Sequence, residues 1–381
     1  MTDVLDRVQD NSAQAAPRRA APKAQRPGIV DCDIHPLAKS AAEFKPFMSA
    51  HWWEHMTTYG SGVRQAFAST LAYPRMAPEV SRADAWPPGG GPPGSDLDFM
   101  RAQHLDANGI AHGVLIPLRM NAGNQRNLEF GAALCRAINE WQIENWVVPE
   151  PRLHGSIQVS ADDIDFSVAE IRRCAQDRRY VQILIPPRNS EPLGRKRYWP
   201  IFEAAVEAGL PIGMHVGGVS GFPAGAGTGA VSYYYEEHQS LVQAMQAVIV
   251  SMILEGAFEA FPSLRLTCIE GGFGWAPSLG WRMDKHWKVF RSEVPHLKRA
   301  PSEYLREHVY LTTQPVEEPE KPEDLARLME WIGYDRLMFS SDYPHWDFDD
   351  PAYAFKHRMT DEQKQKLFAG NATRLFRLEA A

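Results

Sequence analysis

What this chain has little of narrows its function first. Its 381 residues contain only four cysteines, Cys32, Cys135, Cys174 and Cys268, far apart and without a Cys-x-x-Cys pair. A disulfide framework is therefore not expected, and a reducing, cytoplasmic setting is. The first 28 residues, rich in Ala, Pro, Gln and Arg, lack the apolar core of a signal peptide or a membrane helix, so no membrane partner is expected. Positive charge is in deficit, with 40 Lys and Arg against 47 Asp and Glu, a net charge of -7. The basic residues are dispersed, which leaves no footprint for nucleic acid. Also missing are a phosphate-binding GxxxxGK[ST] loop, a GxSxG elbow, an HExxH helix and a dinucleotide fingerprint in a strand-to-helix setting, so phosphoryl transfer and nicotinamide chemistry have no support.

What is present is ordinary globular composition, 44% hydrophobic and 23% charged, enough for one large core. Residues 1–28 read as a disordered tail and 29–381 as the folded body. Eight short β-rich runs follow: IVDCDIH (29–35), GVLIP (113–117), LHGSIQV (153–159), YVQILIP (180–186), LPIGMHV (210–216), LRLTCIE (264–270), HVYLTTQ (308–314) and RLMFSSD (336–342). Between them lie segments such as LEFGAALCRAINEWQIENW and EDLARLMEWIG, with apolar residues at three- and four-residue steps. Alternation of this kind predicts an α/β fold, a distorted (β/α)8 TIM barrel, with one long insertion at about 36–112 after the first strand. That insertion carries His51-Trp52-Trp53 and the loop WPPGGGPPG, and is expected to lie over the barrel mouth.

Polar residues then fall at or just past the ends of the apolar runs, where such a barrel keeps its chemistry. They are Asp33 and His35 in the first, His215 in the fifth, Glu270 after the sixth, and Asp342 with His345 after the eighth. Asp33 and His35 are two apart, so their side chains share a face. An aspartate solvating a satisfied histidine would look the same. Imidazoles and carboxylates converging from separate strands suit a divalent ion that keeps an open position. Asp342 has no sequence-adjacent basic partner and would be costly to bury without such compensation. His238, which opens the helix after the fifth strand's glycine-rich loop, and His345 are within reach of the mouth. With Glu270 they are candidates for a second ion, or for supporting groups around the first. Arg119 is a candidate to hold a substrate carboxylate, and Trp275 to wall the pocket; aromatic side chains in such number also serve the core.

The ordered motifs D-x-D-x-H-P at 31–36, M-H-V-G at 214–217, E-G-G-x-G-W at 270–275, S-S-D-Y-P-H at 340–345 and the closing GNATRLFRL resemble the amidohydrolase-related branch of the amidohydrolase superfamily. The resemblance covers nearly all of the chain after the tail. It extends to aminocarboxymuconate-semialdehyde decarboxylase and to resorcylate and dihydroxybenzoate decarboxylases, beside metal-dependent hydrolases. It implies one divalent ion, Zn or Mn ahead of Fe, held by Asp33, His35, His215 and Asp342, with Asp342 also handling a proton. It implies a small-molecule substrate and a barrel that pairs as a homodimer. Two positions depart from the pattern: Asp33 stands where His or Glu is usual, and Glu270 where the decarboxylases carry histidine. Because a carboxylate donates a proton only when burial raises its pKa, the Glu270 departure ranks hydrolysis of an amide, ester, lactone or related C–N bond first. Asp342 and Glu270 would be its catalytic residues. Non-oxidative decarboxylation of a hydroxy-carboxylate comes second, a dinuclear iron or manganese oxygenase third, and a non-catalytic partner subunit last.

Overall fold

The computed structural model describes residues 28–61, 80–117, 119–216 and 232–379, apart from the side chains at 119–121 and 237. The expected disordered tail, nearly all of the loop after the fifth strand and the middle of the insertion lie outside the described residues.

Eight parallel strands run in the order β1 (Ile29–Ile34), β2 (Ile110–Leu115), β3 (Leu153–Gln158), β4 (Tyr180–Leu184), β5 (Ile212–His215), β6 (Leu266–Ile269), β7 (Val309–Thr312) and β8 (Leu337–Met338), each paired with its sequence neighbour. β8 is only two residues long, yet the chain beyond it closes the ring. Cys32 donates its backbone N–H to Phe339 at 3.0 Å and His35 to Tyr343 at 2.8 Å. The result is the expected (β/α)8 barrel.

Side chains from around the ring, Val30 and Cys32 of β1, Val114 of β2, Val181 of β4, Ile269 of β6, Tyr310 of β7 and Met338 of β8, meet in one buried cluster that fills the barrel. A larger cluster packs the helices against the outer face. Those helices begin on side-chain caps where the sequence supplies one: Asn127 accepts from Phe130 and Asp163 from Phe166.

A bulge in β1 decides what faces where. Asp31 pairs with Gly113 and Ile34 with Leu115, so three steps along β1 match two along β2. The extra residue reverses the alternation. Asp31 turns outward to His104 in the helical layer, while Asp33 faces His215 on β5, four strands away across the mouth.

The insertion is anchored at both ends. Its short 3-10 segment Ala41–Phe47 sends Phe44 against Trp141 of the helix Leu128–Gln142, with ring centroids 5.1 Å apart. The Trp141 indole donates to Glu43 at 2.9 Å. Truncating so deeply buried an indole costs about 3–5 kcal/mol. At the other end, Arg82 donates its backbone N–H to Pro344 and Trp346 donates to Val80, laying the segment on the loop that follows β8. Gly94 passes so close to β1 that a Cβ there would stand 2.4 Å from the His35 carbonyl. With its φ of +76°, only glycine fits.

Candidate metal centre

Five side chains meet where β1, β5, β6 and β8 end. Asp33, His35, His215, Glu270 and Asp342 each bring one donor atom to within 4.8 Å of all the others. Among the described residues no other group of three or more such donors gathers this closely. His238 and His345 stand outside it.

The two imidazoles are set for one task. His35 bonds through Nδ1 to the Ile116 carbonyl at 2.9 Å and His215 to the Val216 carbonyl at 2.5 Å. A carbonyl only accepts, so Nδ1 carries the proton and Nε2 presents its lone pair. That lone pair faces carboxylate oxygens: His35 Nε2 lies 3.0 Å from Asp33 Oδ1 and 2.8 Å from Asp342 Oδ1, and His215 Nε2 lies 2.8 Å from Glu270 Oε2. Lone pairs opposed at this distance repel unless a cation lies between them. Among the described residues Asp33 Oδ1 and Oδ2 and both Nε2 atoms have no hydrogen-bond partner although they are buried. Donors bound at about 2.1 Å around one ion stand about 3 Å apart when they subtend a right angle. The donor set therefore fits a divalent ion.

Electrostatics point the same way. Burial pushes the Glu270 carboxyl up, against the pull of His215. Asp342 is pushed up by burial and further by Glu270, Asp347 and Asp33. Without an ion, Asp33 is held low against its burial only by protonated imidazoles, and the two histidines are correspondingly raised, His215 to about 10; a divalent ion would take the place of those protons. So many acids in one dry mouth call for a positive charge. The backbone is strained at the same points: Glu270 and Asp342 have φ of 55° and 63°, in the left-handed region that costs a non-glycine residue about 1–2 kcal/mol.

Around this set lies a supporting layer. His345 stacks on His35 with ring centroids 4.2 Å apart and places Nδ1 2.7 Å from Asp342 Oδ1. His238 Nε2 lies 3.4 Å from Asp347 Oδ2. The Trp275 indole donates to the Gly271 and Gly272 carbonyls, bracing the loop after β6. Arg119 opens the 3-10 segment Arg119–Asn124, and its side chain lies outside the described set.

Two residues escaped the sequence reading. Gln314, fully buried, donates its amide to Asp342 Oδ2 and to the Asp347 carbonyl, both at 3.2 Å. Asp347 itself lies beside both His238 and Asp342. Gln314 ends the seventh apolar run as His215 ends the fifth, a signal that was available; Asp347 was hidden among the acids of WDFDD.

Known proteins share this architecture. The amidohydrolase family profile matches residues 30–378. A gamma-resorcylate decarboxylase of Polaromonas sp. (strain JS666 / ATCC BAA-500) is 25% identical over 303 residues, covering 74% of this chain and 88% of that protein. The crystal structure of 5-carboxyvanillate decarboxylase from Sphingomonas paucimobilis superposes with a TM-score of 0.68 at 22% identity, over 93% of this chain and 100% of the other. That of a dihydroxybenzoic acid decarboxylase from Polaromonas sp. JS666, with bound manganese and the inhibitor 2-nitroresorcinol, gives 0.65 at 19%, over 93% and 98%.

These three relatives overturn the expectation of hydrolysis at an amide, ester, lactone or C–N bond, since each is a decarboxylase of a hydroxylated aromatic acid. The expectation rested on Glu270 being unable to supply a proton. Burial raises that carboxyl, which is the condition on which a proton donor at this position depends.

Proposed function

The chain belongs to the amidohydrolase family, and from that premise we propose that it is a metal-dependent, non-oxidative decarboxylase of a small hydroxylated aromatic carboxylate. Asp33, His35, His215 and Asp342 would hold one divalent ion, manganese or zinc, with Glu270 at the fifth corner of the cluster. Bound there, the ion would supply an electrophilic centre that orients substrate oxygens and stabilises negative charge on them.

The observation that carries this reading is the position of Glu270. Its side chain keeps 10% exposure, whereas Asp33 and Asp342 have none, so it faces the open mouth. Burial raises its carboxyl, and its Oε2 lies 2.8 Å from His215 Nε2. The Glu270 carboxyl gives its proton to the ring carbon that bears the substrate carboxylate. The bond from that carbon to the carboxylate then breaks, its electron pair stays with the ring, and CO2 leaves; Glu270 regains a proton from water. Gln314 and His345 keep Asp342 oriented, and Val80 and Arg82 of the insertion bond the loop after β8 that carries His345.

Metal-loaded enzyme should be offered 2,6-dihydroxybenzoate, 5-carboxyvanillate and related acids in D2O, with CO2 and the ring product followed by NMR. One deuterium at the vacated carbon, lost in Glu270→Gln with the metal retained, supports the reading. Absence of CO2 across the panel with the metal bound contradicts it.

The four cysteines are buried and free, which accords with a reducing compartment such as the cytoplasm. No helix among the described residues is long and apolar enough to cross a membrane. Trp281, Val289 and Phe290 stand exposed along the helix Ala276–Phe290, which supports pairing with a second copy; light scattering tests that.

A further inference from the structure

The barrel has a second feature at its opposite end. A cavity of about 270 Å³ opens among the residues that lead into β5 (Leu210, Pro211) and β6 (Ser263, Arg265), Tyr310 of β7, and the closing helix Asn371–Phe376 with its cap. Strand starts lie at the end remote from the metal centre, so this cavity belongs to no part of the site described above.

Three arginines, Arg265, Arg374 and Arg377, line it, and among the described residues no carboxylate does. Several arginines elsewhere on the molecule are paired, Arg101 and Arg152 with Glu150, Arg173 with Glu170, Arg197 with Glu191 and Arg299 with Glu307. None of the three makes an ion pair among the described residues; Glu307, the acid that feels the charge of Arg265, is engaged by Arg299.

Their positions are set by neutral groups instead. Arg265 donates through Nη1 to the Pro262 and Leu264 carbonyls at 2.9 and 2.8 Å and lies 3.2 Å from His308 Nδ1, and among the described residues its other guanidinium nitrogens make no hydrogen bond. Arg374 donates to the Asn371 side chain at 2.9 Å. The Arg377 guanidinium lies flat against Gly209, where a Cβ would come within 2.2 Å of Nη2; any larger residue there would displace it. Arg377, with a φ of 55°, is the left-handed residue that ends the helix Asn371–Phe376. Guanidinium groups gathered without an acid repel one another, and their planar forks match the oxygens of phosphate or carboxylate.

We propose that this cavity is a binding site for a small, multiply charged oxyanion, a phosphate ester or a polycarboxylate, separate from the catalytic centre. Arg265, Arg374 and Arg377 provide the charge, and Tyr310 and Ser263 line the same space. A volume of about 270 Å³ exceeds that of a bare phosphate, so an organic anion fits. Two of the arginines come from the closing motif GNATRLFRL, which the metal chemistry leaves unused.

The test is calorimetric titration of the metal-loaded full chain with inorganic pyrophosphate and, separately, citrate, at fixed ionic strength. Wild type, Arg265→Gln, Arg374→Gln and Asp342→Asn are compared, and thermal melts verify that each variant is folded. Binding that weakens at least tenfold in each arginine variant and is unchanged in Asp342→Asn is expected; pyrophosphate or citrate as the tighter probe identifies the class. Equal affinity in wild type and the arginine variants overturns the proposal, as does binding lost in Asp342→Asn, or no binding of either anion to wild type.

Discussion

Two buried clusters of aspartate and histidine begin two residues apart on β1, and one is closed while the other is open. Asp31 receives His104 Nε2 at 2.7 Å, the Ser341 backbone N–H at 2.9 Å and the Ser341 hydroxyl at 2.5 Å. His104 reaches Asn108 through its other nitrogen and stacks on Tyr343 with ring centroids 4.7 Å apart. Both oxygens and both ring nitrogens are thus occupied. Asp33, made of the same atoms, has two buried oxygens without a hydrogen bond and faces imidazoles whose lone pairs point at it. Residue type does not separate a brace from a binding site here; the count of satisfied atoms does.

Exchanging roles between the clusters should produce opposite phenotypes. The largest effect is expected at the open one: Asp342→Asn should cut decarboxylation by roughly 10²–10⁴-fold while thermal melts of the metal-free protein hardly move. Next, Asp31→Ala strands His104 and Ser341 in the interior and should lower the unfolding free energy by about 3–5 kcal/mol in denaturant titrations, with metal content preserved. If Asp31→Ala instead lost the metal at full stability, the distinction would fail.

A third pair sharpens the contrast because among the described residues no carboxylate bonds it. His112 Nδ1 and His154 Nε2 lie 3.0 Å apart, and His154 is lowered to about 4, by burial first and by His112 second. Unfolded, it titrates near 6.5, so between pH 6.5 and 4 the unfolded chain takes up a proton that the folded one refuses. Stability is full above pH 6.5 and falls as pH drops through that window, by about 2–3 kcal/mol from this group. His154→Gln should remove that share of the acid loss in unfolding titrations at pH 7 and 4.5. The smallest effect is expected from Gln314→Leu, which takes a donor from Asp342 Oδ2 and should weaken metal binding by about 10–100-fold in competition with a chelator.

Much of this was legible beforehand. The strand runs and the polar residues at their ends depend on periodicity, which survives in a single sequence, and Asp33, His35, His215, Glu270 and Asp342 all emerged that way. Asp31 and Asp33 could not be told apart, because alternation places them on one face and only the bulge, a matter of pairing with β2, separates them. The ranking of hydrolysis over decarboxylation turned on a related point: the proton affinity of Glu270 depends on burial, which no local pattern reveals. The anion cavity draws Arg265 from before β6 and Arg374 and Arg377 from the chain's end, a meeting that only the closed barrel creates.

Metal content is the most direct test of the central claim. Wild type, Asp33→Asn and Asp31→Asn should be purified from medium supplied with manganese and zinc, and the bound ion counted by plasma mass spectrometry. The account predicts about one divalent ion per chain in wild type and in Asp31→Asn, and almost none in Asp33→Asn. A metal-free wild type, or an ion retained equally by Asp33→Asn, would contradict it.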